Sequence, residues 1–131
     1  MKIINSSGNR KTAVARATLK EGTGIIRINT YTLEQIPNAV VRERIEEPLV
    51  MAGETAKKVN ISVNTFGGGI IGQAEAARIA IARALAQFNK NLTKEFMEYD
   101  RTLLVTDVRR KETRKPNTHG KARSKRQKSY R

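Results

Sequence analysis

From Arg109 to Arg131 the sequence reads RRKETRKPNTHGKARSKRQKSYR, and this run limits what the chain can fold into more than any other feature. It holds 11 Lys and Arg against the single Glu112, a net charge of +10. The whole chain carries +14, so the 108 residues before the run carry only +4, from 15 positive and 11 negative side chains. The run has no Leu, Ile, Val, Met or Phe, and its apolar side chains are Ala122 and Tyr130. Such a segment cannot bury enough apolar surface to offset its ordering entropy, so it is expected to stay disordered until something binds it. The expected organisation is a globular body at 1–108 and an extended basic tail at 109–131.

A body of that length suits one small domain with a single core. The chain has no cysteine, which excludes a disulfide framework, a thiolate-built zinc site and a thiol nucleophile, and fits a reducing compartment. There is no run of about 18 apolar residues to span a membrane. The start, MKIINSSGNRK, lacks the apolar stretch of a signal peptide. A soluble, intracellular protein is expected. A pI near 10.7 points to a polyanionic partner. Nucleic acid comes first, because many Lys and Arg together release counterions from regularly spaced phosphates. An anionic membrane comes second, but it ordinarily asks for an amphipathic apolar face beside the charge, and the tail has none.

Within the body, KTAVARATL at Lys11–Leu19 alternates Ala13, Ala15, Ala17 and Leu19 against Thr12, Val14, Arg16 and Thr18, the period of a strand. EGTG then supplies a turn and IIRIN at Ile25–Asn29 a second strand, so a hairpin between these two is the economical reading. Thr32 is placed to cap a short helix ending before Pro37. VVRERIEEPLVMAG has Val41, Ile45 and Leu49 on one side, with Pro48 as an interruption and Gly53 as a stop, which predicts two short helices. VNISVNT at Val59–Thr65 alternates cleanly as a strand. A long Ala-rich helix is expected from about Gly72 to Phe88, with Ile81, Leu85 and Phe88 as its apolar stripe and Glu75, Arg78 and Arg83 opposite. A short helix at Thr93–Tyr99 buries Phe96, and TLLVT at Thr102–Thr106 reads as a last strand. The fold class expected is α+β, helices on one face of a sheet.

The segment GGGIIGQA follows a strand and opens a helix, the arrangement in which free backbone N–H groups meet an anion. No Lys-Ser or Lys-Thr follows as in a P-loop, and the dinucleotide spacing is met only as Gly67, Gly69 and Gly72, a cheap match in any glycine run. A sharp strand-to-helix turn touching a phosphate is the better reading. His119 lies in the tail without a packed partner, so it is not a catalytic base. Asp100, Asp107 and Glu112 are suited to orienting neighbouring arginines. Arg10, Lys11, Arg16, Arg78 and Arg83 are expected to extend the tail's basic surface onto the body. The six aromatic residues are scattered, which does not support a base-stacking platform. No catalytic residue, metal site, cofactor or small-molecule substrate is expected.

Three stretches together resemble ribosomal protein S9 of the small subunit, in its archaeal and eukaryotic branch. They are GNRKTAVAR at Gly8–Arg16, GGGIIGQAEAARIAIARAL at Gly67–Leu85 and RQKSYR at Arg126–Arg131, where the Tyr-Arg ending marks the branch. Asn9 stands where a basic residue is common in the family, and Val108 where this branch often has proline. The resemblance implies a fold like the second domain of ribosomal protein S5: a four-stranded sheet, helices on one face and a left-handed crossover. It implies no enzymatic activity and a place in the cytoplasmic small ribosomal subunit. It implies rRNA of the head as partner, bound by Arg10, Lys11, Arg16, Arg78, Arg83, Arg109, Arg110, Lys111, Arg114, Lys115, Lys121, Arg123, Lys125 and Arg126. Lys128, Tyr130 and Arg131 would meet the anticodon stem-loop of peptidyl-site tRNA, and other head proteins would adjoin. A free-standing basic RNA or DNA chaperone is the alternative, and a nucleotide-using enzyme of the related kinase fold is the distant third.

Overall fold

Two alternating strands, each with one apolar side, supply the base of the core. Ala13, Ala15, Ala17 and Leu19 of β2 (Ala13–Glu21) and Val59, Ile61 and Val63 of β5 (Val59–Phe66) are all buried. They pair antiparallel over eight residues, from Val14 opposite Phe66 to Glu21 opposite Val59. The computed structural model describes residues 2–117 and 122. Its five-stranded mixed sheet runs β1-β2-β5-β3-β4, with β1 at Ile3–Arg10, β3 at Ile26–Ile28 and β4 at Tyr31–Thr32. The α+β class holds, with one strand more than expected.

The hairpin is displaced from its expected position. β2 turns back onto β1 through Lys11 and Thr12, whereas β3 pairs parallel with β5 and antiparallel with β4. The three-residue β3 offers β2 little to pair with. The long β5 offers a full ladder and takes the place between them. The EGTG loop is instead gathered by Asn60, whose side-chain oxygen accepts from the backbone N–H groups of Thr23, Gly24 and Ile25 at 3.0–3.1 Å.

The β3-to-β5 crossover carries a 3-10 turn at Leu33–Gln35 after Thr32, then α1 (Ala39–Ala52) and α2 (Glu54–Lys57). Asn38 caps α1 by accepting from Val40 and Val41 N–H. Pro48 does not split the segment. It lies inside a 14-residue helix, buried in line with Val41, Ile45 and Ala52. A proline costs a helix interior about 3 kcal/mol, and burial of this whole stripe offsets that loss. Gly53 ends α1 as expected.

α3 (Ile70–Phe88) lies across β1, β2 and β5 on their buried side, with α1 packed beside it. Its alanines are all buried, and small side chains let its backbone come close to the sheet. The nearest approach is at Gly8, where an added Cβ would sit 2.5 Å from the Ala76 carbonyl oxygen. Ser6 Oγ fastens the same strand by donating to Ala80 O at 2.6 Å. α4 (Asn91–Tyr99) buries Phe96, as its pattern predicted. The segment after it is not a strand. Asp100 accepts from Thr102 N–H, Arg101–Leu103 form a 3-10 turn, and Leu103 is driven fully into the core.

Candidate nucleic-acid interface

With helices on one side, the other side of the sheet is left open. Its outward positions are Ile3, Asn5, Ser7 and Asn9 on β1, Val14, Arg16, Thr18 and Lys20 on β2, Asn60, Ser62, Asn64 and Phe66 on β5, and Arg27 on β3. Not one is acidic. Arg16, Lys20 and Arg27 are exposed there among short polar side chains. Arg16 also lies over the Phe66 ring, 5.6 Å from its centroid, which holds the guanidinium on the face while leaving its edge for an oxygen ligand. Lys20 and Arg27 extend this surface on either side of β5. Their outward positions in alternating strands were the available signal in the sequence.

At the end of the sheet where β1 turns into β2, Lys11 occupies the left-handed region at φ 54°. It is the first of two turn residues, a position that ordinarily takes glycine. Lys11 is exposed at the tip of this turn. Beside it Gly67, at φ 74°, packs where a Cβ would come 2.6 Å from Thr12 O, so β5 reaches α3 through a turn pressed against the hairpin.

The guanidinium groups of Arg10, Arg78 and Arg83 are held by protein oxygens. Arg10 donates through Nε to Glu75 at 2.7 Å, and its Nη1 lies 3.2 Å from the Arg109 carbonyl oxygen and 3.6 Å from Asp107. Asp107 also accepts from the Arg109 backbone N–H at 2.9 Å and from its guanidinium at 2.7 Å. The Arg109 hydrogen bonds hold the Asp107 carboxyl well below the usual carboxylate range, and Asp107 in turn raises Arg109. The start of the basic run is thus tied to the hairpin by one arginine and one aspartate.

Arg78, expected on the outer face of α3, is buried. It sits on the stripe of Ala74, Ile81 and Leu85, at helical spacings of four, three and seven, and so turns inward. Its guanidinium donates to Glu47 at 2.6 and 2.9 Å and to Asp100 at 3.1 Å, joining α1, α3 and the turn after α4. Burial pushes the Asp100 carboxyl up, but hydrogen bonds from Thr102 and Arg78 outweigh it and leave it lowered. Arg83 donates to Leu104 O at 2.9 Å, Ser7 O at 2.8 Å and Thr106 Oγ1 at 3.1 Å, clamping the chain just before the tail against β1.

Arg109, Arg110, Lys111, Arg114 and Lys115 are exposed on the stretch that leaves the body, with Lys115 3.9 Å from Glu112. His119, Lys121, Arg123, Lys125, Arg126, Lys128, Tyr130 and Arg131 lie outside the described residues. Together the open sheet face, the Lys11 tip and the first tail cations make a surface suited to several phosphates. Among the described residues no group of three or more His, Asp or Glu is placed to hold a metal ion.

Comparison with known proteins gives this surface its context. The sequence profile of ribosomal protein S9/S16 matches residues 8–131, which is nearly the whole chain. The chain belongs to the ribosomal protein S9/S16 family. Curated relatives include the small ribosomal subunit protein uS9 of Methanothrix thermoacetophila, 50% identical over the full length of both chains. The protein of the same description from Methanococcus maripaludis is 44% identical, again over the full length of both. The family match spans the Lys11 hairpin, the glycine turn before α3 and the basic run, so all three features belong to the family's own region of the sequence.

Proposed function

We propose that this chain is a structural constituent of the small ribosomal subunit in the cytoplasm, without enzymatic activity. Its body, 1–108, docks on rRNA of the head, and its tail, 109–131, extends along RNA until Lys128, Tyr130 and Arg131 meet the anticodon stem-loop of peptidyl-site tRNA. The observation that carries this reading is the tie of the tail's first residue to the hairpin through Arg10 and Asp107. A tail that binds wherever charge allows needs no fixed origin, whereas one that must end at a particular place does. Fully extended, its 23 residues reach roughly 75 Å.

The cations divide by role. Lys11 and Arg16, with Arg109, Arg110, Lys111, Arg114, Lys115, Lys121, Arg123, Lys125 and Arg126, contact rRNA phosphates. Arg10, Arg78 and Arg83, which the resemblance also assigns to rRNA, act mainly by fixing the body and the tail's origin, because their guanidinium groups are already held by protein oxygens. Neighbouring head proteins complete the surroundings.

The test is the salt dependence of rRNA binding by the full chain and by a chain ending at Val108. Contact with about 6–10 phosphates gives a slope of log K against log[salt] on the order of −4 to −7 for single-stranded RNA. The truncated chain should remain folded, bind much more weakly and show a shallower slope. Equal affinity and slope would refute the division of labour.

A further inference from the structure

One face of this strongly basic chain has the opposite character, and it lies away from the surfaces described so far. On α1 the residues opposite the buried stripe include Val40, Glu43, Glu46 and Val50. Val50 is 77% exposed and Val40 53%, although both are apolar. Glu46 and Val50 line a groove of about 380 Å³ together with the apolar Ile26, Leu33 and Leu49 and with Lys57, whose charge is matched by Glu54 at 3.3 Å.

Neither Glu43 nor Glu46 pairs with any described cation, although the chain carries 26 Lys and Arg against 12 Asp and Glu. Among the described residues Glu43 and Glu46 have no cationic partner while Lys57 is matched by Glu54, so a polyphosphate would be repelled here and gain nothing from the apolar lining. Exposed valines beside an apolar groove with a charged rim match the anatomy of a protein–protein interface, apolar at the centre and polar at the edge. Charge complementarity fixes the partner's sign.

We propose that the outer face of α1 and its groove dock a Lys- and Arg-rich segment of a neighbouring protein chain, which inserts an apolar side chain between Val50 and Leu49 while its cations meet Glu43 and Glu46. This rests on the chain being part of a ribonucleoprotein, where the other proteins share the need for positive charge. It assigns the two sides of the molecule to different partners, RNA at the sheet and the tail, protein at α1.

The experiment replaces Val50 by a diazirine amino acid in the full chain and irradiates purified small subunits that have incorporated it. Mass spectrometry should find a single major adduct, to one other protein, through a peptide of net positive charge. Adding Glu43→Lys and Glu46→Lys should cut the yield of that adduct at least fivefold, with the exposed helix positions leaving the fold intact by circular dichroism. An adduct to rRNA, to a second copy of this chain or to an acidic peptide overturns the proposal, as does no adduct at all. A chain that fails to enter small subunits overturns the proposed function too, so the two failures are distinguishable.

Discussion

Gly8→Ala is the most informative single change to the body. A Cβ at this position would lie 2.5 Å from Ala76 O, 2.8 Å from Ala80 N and 2.8 Å from Ile79 Cβ. Ordinary contact with carbon starts at about 3.5 Å, so β1 and α3 must part by about 0.7–1 Å. Two of the three obstacles are backbone atoms of a helix, and no side-chain rotation relieves them. Overpacking of this kind costs about 1–3 kcal/mol, and rigid obstacles put Gly8→Ala near the upper end. For a body of this size, each kcal/mol moves Tm by about 4–8 °C, so a fall of about 10–20 °C is expected. Gly69→Ala is the matched control, because nothing lies within 4 Å of its added Cβ and its φ is −99°. As the N-cap of α3 it loses some cap preference and gains unfolded-state entropy, so it should stay within about 1 kcal/mol of the parent. Urea unfolding of the RNA-free full chain, followed by far-UV circular dichroism, measures both. Equal stability of the two variants would refute the claim that glycine at position 8 sets the distance between sheet and helix.

Four further outcomes are expected. Arg78→Met leaves Glu47 and Asp100 facing each other without their shared cation; breaking a buried pair costs up to about 3–5 kcal/mol, and with both carboxylates about a third exposed roughly 2 kcal/mol is expected by urea unfolding. Lys11→Gly relieves the left-handed turn while deleting a cation, so stability should hold or rise within about 1 kcal/mol as the rRNA salt slope shrinks by about one. Asp107 has a folded-state pKa below its unfolded value, so its contribution is fully present above about pH 4 and is lost as pH falls through the depressed value; Asp107→Asn should flatten the acid limb of a stability–pH curve below about pH 4. Replacing Arg131 by Ala should leave subunit assembly unchanged while altering retention of peptidyl-site tRNA in filter-binding assays, and lost assembly with normal tRNA binding would contradict the proposed division.

How much of this was legible beforehand depended on whether a segment's own pattern agreed with its surroundings. β5, α3 and α4 could be read because alternation or helical spacing and burial coincide in them. β1 could not: IINSSGNR has few strand-forming side chains, and it is a strand because β2 pairs with it and α3 covers Gly8 and Ser6. TLLVT looked like a strand by composition, yet the cap at Asp100 and the burial of Leu103 make it a turn. Pro48 carried a local signal that tertiary packing overrode. At the interface, Lys11 and Arg16 were legible as exposed cations, whereas the neighbours of Arg83 lie 21 and 76 residues away in the sequence and give no local pattern. Arg78 is different, because its place on the Ala74–Ile81–Leu85 stripe was there to be read; an arginine's charge outweighed its position.

The fate of these arginines bears on how a basic chain can be more than a polyelectrolyte. Three cations are held by protein oxygens near the end of the body: Arg10 and Arg83 tie the residues entering the tail to β1, and Arg78 joins α1 to the turn at 100. Arg83 holds 104 and 106 against β1, Arg10 holds 107 and 109 against the hairpin, and Arg78 holds the turn at 100 that leads into both. Loss of any one leaves the net charge lower by a single unit, so counterion release predicts nearly the same small drop in RNA affinity for each as for a tail lysine. A fixed origin predicts something else: Arg10→Ala should disturb where the tail's far end reaches much more than it weakens overall binding. Crosslinking from position 131 to tRNA, compared between Arg10→Ala and Lys111→Ala at equal salt, separates the two. If both variants retain the same crosslink in the same yield, the arginines at the junction are ordinary charges and the tail finds its place without them.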